Sequence, residues 1–201
     1  GTSPTRFVKK FRERSRERFL QPEEAPRFFK ALDMEENKDL KDFIFLLLYT
    51  GQRKGNVLSM RWQDISFEQG QWYIPETKNG CSHTLPLVPQ VLEILKERRK
   101  AGMDSLFVFP SESATGHLID PKRAWRRLLR RAEIENLTMH DLRRTMGSYL
   151  AMGGASQYLI GKTLGHQDPK STAIYARMNM DPVREAMNKV GDVMDQFKEV
   201  K

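Results

Sequence analysis

Apolar residues recur at helical spacing in several segments of this chain. In the last of them, Val183, Met187 and Val190 begin a stripe that continues to Phe197, and such a stripe is typical of a helix that buries one face. Proline, serine or aspartate before these segments, and glycine after them, are ordinary start and stop signals of helices. We therefore expect helices over residues 22–33, 40–49, 54–62, 88–100, 120–132, 138–153 and 156–164, a helix from 168 that carries Tyr175, and a last helix from 181.

Residues 65–89 show a different pattern, with short runs that suit strands. Residues 71–75 and 83–87 flank Asn79-Gly80, and Asn-Gly is a strong signal for a hairpin turn. Residues 106–109 form a further strand candidate. The sequence therefore predicts an α+β domain that is mainly helical, with a small antiparallel sheet and a β-hairpin that carries Lys78.

Composition and charge narrow the class of partner. The 201 residues suffice for one well-buried core, and the net charge of +8 favours a polyanion such as double-stranded DNA, although ribosomal and membrane-surface proteins are basic too. Cys81 is the only cysteine, so no intrachain disulfide can form and a reducing compartment is expected. No apolar run has the length of a membrane span and no signal peptide is visible, which predicts a soluble cytoplasmic protein without a membrane partner.

Two arginines and a histidine have the chemistry to hold a phosphate. His140 and Arg143 are three residues apart, so they share one face of the helix expected there. Arg53 follows Gly51 at the start of another helix, where backbone N–H groups favour an anion. A guanidinium binds phosphate oxygens through two hydrogen bonds, and an imidazole transfers protons near neutral pH. Taken one at a time, these residues fit ordinary surface positions equally well.

Three further side chains suit phosphoryl transfer. Tyr175 offers a phenol that can act as a nucleophile, and it also fits a core position. His166 directly follows Gly165 at a helix end, where a histidine is often a capping or packing group. Lys78 stands beside the expected hairpin turn, where most lysines are merely solvated. The assignment of a function therefore depends on all of these residues together.

Their order and context resemble the catalytic domain of the tyrosine recombinases, the phage-integrase family. The resemblance covers residues 20–180, nearly the whole chain, and its motifs taken jointly are highly specific. It is carried by Thr50-Gly51-Gln52-Arg53, residues 58–65, Thr77-Lys78-Asn79-Gly80, His140-Asp141-Leu142-Arg143-Arg144-Thr145, Leu164-Gly165-His166 and Thr172-Ala173-Ile174-Tyr175-Ala176.

The resemblance implies a site-specific DNA recombinase, an integrase of a phage or other mobile element. Arg53 and Arg143 would bind the non-bridging oxygens of the scissile phosphate. Tyr175 would attack that phosphate, leaving a 3′-phosphotyrosyl link and a free 5′-hydroxyl. The link conserves the energy of the broken bond, so the resemblance implies no metal, ATP or other cofactor.

The resemblance also assigns roles to the remaining residues. Lys78 would protonate the leaving oxygen, His140 would accept a proton or bind the phosphate, and His166 would donate a hydrogen bond to it. The chain departs from many family members at Asn56, where they carry glutamate three residues after the first arginine. An amide can hydrogen-bond, but it cannot neutralise Arg53 as a carboxylate does.

A cationic surface is expected to contact DNA outside the catalytic residues. The segment 120–132 combines six lysines and arginines with an apolar stripe of Trp125, Leu128 and Leu129. A solvated cationic face is the alternative to DNA contact. We expect DNA-binding residues to include Lys54, Lys122, Arg123, Arg126, Arg127, Arg130 and Arg144.

The expected organisation is a catalytic domain with two short extensions. Residues 1–19 would form a basic arm, the remnant of a linker to an N-terminal DNA-binding domain that this sequence lacks. Residues 181–201 would form a C-terminal helix, which either packs on its own domain or is exchanged between protomers of a homotetramer on paired DNA sites. In this view the protein works in the bacterial cytoplasm, at the nucleoid.

Two other functions stay open at this point. A type IB topoisomerase would share the fold and chemistry, although Leu164-Gly165-His166 and the context of Tyr175 fit recombinases better. A catalytically silent DNA-binding module would have no chemical reason to keep all six catalytic residues.

Overall fold

The structure, a computed structural model, describes residues 16–75, 82–101, 104–166, 168–177, 187, 188 and 190. The predictions for Lys78, for residues 1–15 and for most of the C-terminal segment lie outside these residues. The elements follow in the order α1 (Ala25–Asp33), α2 (Lys38–Thr50), α3 (Lys54–Leu58), β1 (Ile65–Ser66), β2 (Gln71–Ile74), β3 (His83–Pro86), α4 (Pro89–Lys100), α5 (Lys122–Arg131), α6 (Met139–Met152), α7 (Gln157–Leu164) and α8 (Lys170–Ala173), with 3₁₀ turns at Trp62–Asp64 and Ile174–Arg177.

Side-chain caps start three of the helices. Asn37 accepts a hydrogen bond from the backbone of Leu40 at the start of α2, and Ser156 caps α7 in the same way. In α6, Thr138 and Asp141 form a capping box, each side chain bonding the backbone of the other. Such caps satisfy N–H groups that have no partner within the helix, and the start of α6 is therefore firmly placed.

The sheet is a three-stranded antiparallel meander in the order β1-β2-β3. Trp72 pairs with Leu85 and Ile74 with His83, so β2 and β3 pair antiparallel as expected. The predicted strand at 106–109 is wrong, because Phe107 makes only an isolated bridge with Arg61. After Arg61 the chain enters a 3₁₀ helix, so the segment that bridges to Phe107 is too short to pair with residues 106–109 as a strand.

Three predicted helix positions also differ from the structure. The helix expected over 54–62 ends at Leu58, and Tyr175 lies in the 3₁₀ turn after the short α8. The first helix begins at Ala25 instead of Pro22, because Glu24 accepts hydrogen bonds from Arg18 and from the Gln21 backbone.

The hydrophobic core has two parts. The larger one joins helices α1 to α6 and the sheet, and it includes the predicted α5 stripe of Trp125, Leu128 and Leu129. The smaller one lies between α6, α7 and the 3₁₀ turn that follows α8, and consists of Ala151, Ile160, Leu164 and Tyr175. None of the helices in the described ranges is long and apolar enough to cross a bilayer. In the C-terminal segment Met187, Asn188 and Val190 are helical.

A buried ion pair joins α2 to α4. The guanidinium of Arg98 donates to Asp42 at 2.8 Å and to Asp39 at 2.7 Å, and it also bonds the carbonyl of Val108. Its Cζ lies 4.5 Å from the centre of the Phe109 ring. Burial raises the pKa of Asp42 despite the hydrogen bond and charge of Arg98. Arg98 therefore compensates a carboxylate that would otherwise be buried alone.

We predict that Arg98→Ala lowers the free energy of unfolding by about 3–5 kcal/mol, because it leaves Asp42 buried without its cation. Urea unfolding of the variant would measure this. Arg99→Ala is the matched control: Arg99 is exposed and lies over the Trp62 ring, so its removal should cost less than about 1 kcal/mol. Equal losses in the two variants would contradict the assigned role of Arg98.

Candidate active site

Helix α6 places three residues of the site on one face. His140, Arg143 and Gly147 follow at intervals of three and four residues, so they lie one above the other along the helix. The capping box at Thr138 fixes the first turn, which contains His140. Hydrogen bonds from Arg16 and Thr138 outweigh the burial of Asp141 and lower the pKa of its carboxyl, so the capping residue stays ionised.

Arg143 is buried and tied to the turn before α3. Its Nη1 donates to the carbonyl of Gly51 at 2.8 Å. Gly51 has a φ of 63° and ends α2 in the left-handed conformation that favours glycine. A Cβ there would lie 2.8 Å from side-chain atoms of Met146 and Leu164, so only glycine lets the turn approach α6 this closely.

The same turn brings a second guanidinium to the site. Arg53 is the N-cap residue of α3, two residues beyond Gly51, and it is partly buried. Burial and the positive charge of Arg53 lower the pKa of Arg143 to about 10. The Arg143 guanidinium therefore remains charged at neutral pH. Two cations held together in this way repel each other and favour an anion that binds both.

Tyr175 packs directly on α6. Its side chain is 3% exposed, and a Cβ on Gly147 would lie 2.5 Å from the phenol Cζ and 2.8 Å from its oxygen. The Tyr175 ring therefore packs directly on the backbone of Gly147, where a larger residue would collide with it. Burial raises the pKa of the Tyr175 phenol, and the charges of Arg143 and Arg144 offset part of that increase. The phenol stays protonated until a neighbouring group accepts its proton.

Both predicted histidines lie near the arginines. His166 follows the left-handed Gly165, and its Nδ1 lies 2.9 Å from the hydroxyl of Thr172. Burial, followed by the charges of Arg143 and Arg53, lowers the pKa of His166 to about 4. Desolvation and the charges of Arg144 and Arg143 also lower the pKa of His140. Both imidazoles are therefore neutral at pH 7 and able to accept a proton.

A third histidine, which the sequence did not single out, belongs to the same site. His83 is the first residue of β3, and its ring lies against Gly165. Burial and the charges of Arg143 and Arg53 lower its pKa. The sequence indicated a role for His83 only through its position close behind Lys78 in the predicted hairpin. The alternation of polar and apolar residues along a strand does not show which polar residue belongs to a site.

The predicted site residues are thus brought together where the structure describes them. Arg53, His140, Arg143, His166 and Tyr175 surround one region between α3, α6 and α7. Lys78 lies outside the described residues. The side-chain nitrogen of Asn56 is buried and has no hydrogen-bond partner among the residues described. An amide at this position cannot neutralise Arg53 as a carboxylate would.

The cations expected to contact DNA differ in their surroundings. Arg123, Arg126 and Arg130 are exposed on α5, and within the described residues none of them forms an ion pair. Their DNA contacts stay a prediction, as do those of the paired cations. Ion pairs join Lys54 and Lys122 to Asp120, Arg127 to Glu35, and Arg144 to Asp141.

This arrangement suits the binding of a phosphodiester and a nucleophilic attack on it. Two guanidiniums can bind two oxygens of the phosphate, neutral imidazoles can exchange protons with it, and a phenol lies beside them. Across the part of the chain that the structure describes, no three histidine, cysteine or acidic residues are placed to hold a metal ion.

Comparison with known proteins agrees with the geometry. A model of the Phage integrase family matches residues 18–181. The prophage integrase IntF of Escherichia coli K12 is 28% identical over 177 residues, which are 85% of this chain and 38% of that protein. The tyrosine recombinase XerA of Pyrococcus furiosus is 30% identical over 176 residues, 85% of this chain and 60% of that protein. The chain therefore spans less than two thirds of the length of either relative.

The solved structures confirm the fold. The Tn1549 transposon integrase in complex with circular intermediate DNA matches 89% of this chain and 68% of that chain, with a TM-score of 0.73 and 19% identity. The predicted mainly helical α+β domain with a small antiparallel sheet is thus confirmed.

We predict that the imidazole of His166 titrates near pH 4 in the folded protein, well below its ordinary value of about 6.5. The unfolded chain then takes up the proton first, so the free energy of unfolding falls as the pH drops from about 6.5 to 4. NMR titration of the histidine ring signals, assigned with His166→Gln, measures the midpoint. Arg143→Gln should raise it, and a midpoint near 6.5 in the unchanged protein would contradict the described site.

Proposed function

This chain belongs to the phage integrase family, and we propose that it cleaves and rejoins duplex DNA through a 3′-phosphotyrosyl intermediate, as part of a site-specific recombinase of a phage or other mobile element. The proposal depends on one observation: the Tyr175 ring packs on Gly147, and Gly147 lies on the helix that also carries Arg143. A phenol and a guanidinium held this way can reach one phosphate together. The covalent link is exchanged for the broken one, so no ATP or metal ion takes part.

Arg53 and Arg143 bind the non-bridging oxygens of the scissile phosphate in this proposal. The transition state concentrates negative charge on these oxygens, and cations that are already in place need no reorganisation to stabilise it. Loss of one such donor typically slows a reaction by about 10²–10³. The repulsion between the two guanidiniums is relieved when the phosphate binds, which adds to the preference for an anion.

The proton of Tyr175 goes to a neutral imidazole. The phenol oxygen forms a bond to phosphorus while the bond from phosphorus to the 5′ oxygen breaks. His140 and His166 are neutral at pH 7 because their pKa values are lowered, so either can accept the proton or hydrogen-bond the phosphate. We assign the acceptor to His140 and the phosphate contact to His166, whose Nδ1 is engaged with Thr172.

Lys78 supplies the proton that the leaving 5′ oxygen requires. It belongs to the segment that joins β2 to β3, and β3 begins at His83, beside Gly165. The strand that follows Lys78 therefore starts at the site itself, which supports a role for this lysine close to the phosphate. General acid catalysis of this kind contributes about 10²–10⁴ in rate.

The other partners follow from the same proposal. Arg123, Arg126 and Arg130 on α5 bind phosphates along the duplex, and Lys54, Lys122, Arg127 and Arg144 do so by exchanging their ion pairs for DNA. An N-terminal DNA-binding domain supplies further contacts to the duplex. Four protomers act together on two duplexes at the nucleoid. The similarity to an integrase solved with DNA supports DNA as the partner.

We predict that Tyr175→Phe binds DNA as the unchanged chain does but forms no covalent adduct, because it lacks only the nucleophilic oxygen. The assay is recovery of SDS-resistant protein–DNA complexes from a randomised pool of nicked duplexes, in which the short cleaved fragment diffuses away. Tyr158→Phe, which changes an exposed tyrosine of α7, should form the adduct normally. An adduct with Tyr175→Phe would place the nucleophile elsewhere.

We predict that Lys78→Ala slows cleavage of ordinary DNA by about 10²–10⁴ and is rescued by a substrate with sulfur in place of the 5′ leaving oxygen. A thiolate leaves without protonation, so the missing acid no longer matters. Single-turnover rates on both substrates give the comparison. Arg143→Ala, which removes a phosphate ligand, should be slow on both, and a Lys78→Ala variant that is slow on both would not have lost the acid.

A further inference from the structure

His83 is held in a close-fitting position at the edge of the proposed active site. A Cβ on Gly165 would lie 2.7 Å from Cε1 of the His83 ring and 3.0 Å from its Nε2. Gly165 ends α7 with a φ of 64° and directly precedes His166. The turn that presents His166 therefore also provides the surface on which His83 rests, and a residue larger than glycine would displace the ring.

The Nε2 atom of His83 is a buried polar atom, and within the described residues it makes no hydrogen bond. A buried polar atom left unpaired typically costs about 1–3 kcal/mol, so such atoms in native proteins call for an explanation. A ligand that arrives later is one explanation, since it supplies the missing partner.

The surroundings of His83 indicate an anionic ligand. The charges of Arg143 and Arg53 act on its ring and, after burial, contribute to lowering its pKa. These are the two guanidiniums to which the phosphate is assigned above. A neutral imidazole with a proton on Nε2 can donate a hydrogen bond there without adding a third positive charge to a pair that already repels.

We propose that His83 is a further phosphate ligand of the active site, whose Nε2–H donates to a non-bridging oxygen of the scissile phosphate bound by Arg53 and Arg143. The assignment rests on the proposed function and adds a residue to it. His83 also links the β3 strand to the Gly165 turn, which presents His166.

The test measures covalent adduct formation in single turnover with three substrates: the ordinary phosphodiester and the two methylphosphonate diastereomers, each of which replaces one non-bridging oxygen by a methyl group. His83→Phe keeps an aromatic ring against Gly165 and lacks a donor, whereas His83→Gln keeps a side-chain N–H. Urea unfolding confirms that each variant is folded. His117→Phe is the matched control, because His117 lies on a loop and bonds the carbonyl of Leu118.

We expect His83→Phe to be slower than the unchanged chain by about 10² on the phosphodiester, with His83→Gln in between and His117→Phe unaffected. On the diastereomer that lacks the oxygen bound by His83, the difference between His83→Phe and the unchanged chain should disappear, while it persists on the other. Only a direct contact with one oxygen gives this pattern.

Two results would overturn the inference while leaving the proposed function intact. His83→Phe could react at the unchanged rate, or it could be slowed equally on all three substrates, which would show a packing role alone. Absence of any Tyr175-dependent adduct with the unchanged chain would instead reject the proposed function, and the assignment of His83 with it.

Discussion

The hydrogen bond from Arg143 to the carbonyl of Gly51 is the contact on which the site depends. It joins α6, which carries His140 and Gly147, to the turn that carries Arg53. It also holds two guanidiniums close enough for the charge of Arg53 to help lower the pKa of Arg143 to about 10. Burial and mutual repulsion both disfavour the two charges, the hydrogen bond to the Gly51 carbonyl offsets part of that cost, and a bound phosphate would relieve the repulsion.

Glycines set the dimensions around this contact. Gly51 lets the turn approach α6, Gly147 seats the phenol of Tyr175, and Gly165 seats the ring of His83. At Gly147 and Gly165, a side chain of the site occupies the space that a Cβ would otherwise fill. The site is consequently compact, because the groups that pack on these glycines lie directly against backbone. Such preorganisation is what stabilisation of a charged transition state requires.

Much of this arrangement could be predicted from sequence, because it depends on local signals and on motifs with fixed spacing. The helix that starts after Thr138, the antiparallel pairing of β2 with β3 and the face shared by His140 and Arg143 are examples. The burial of Tyr175 on Gly147, the place of His83 and the pairing of Arg127 with Glu35 could not be predicted, because they depend on contacts between segments far apart in the chain. The wrong strand at 106–109 has the same cause, since strand formation requires a partner.

The proposed function depends on one step, in which Tyr175 forms the covalent link to DNA within a site preassembled around Arg143. The most direct measurement is mass spectrometry of the peptides from a nuclease-trimmed covalent adduct, which locates the modified residue and the end of the nucleotide that it carries. We expect a nucleotide joined through its 3′-phosphate to the peptide containing Tyr175. A nucleotide on another residue, such as the exposed Tyr149 or Tyr158, or one joined through a 5′-phosphate, would contradict it.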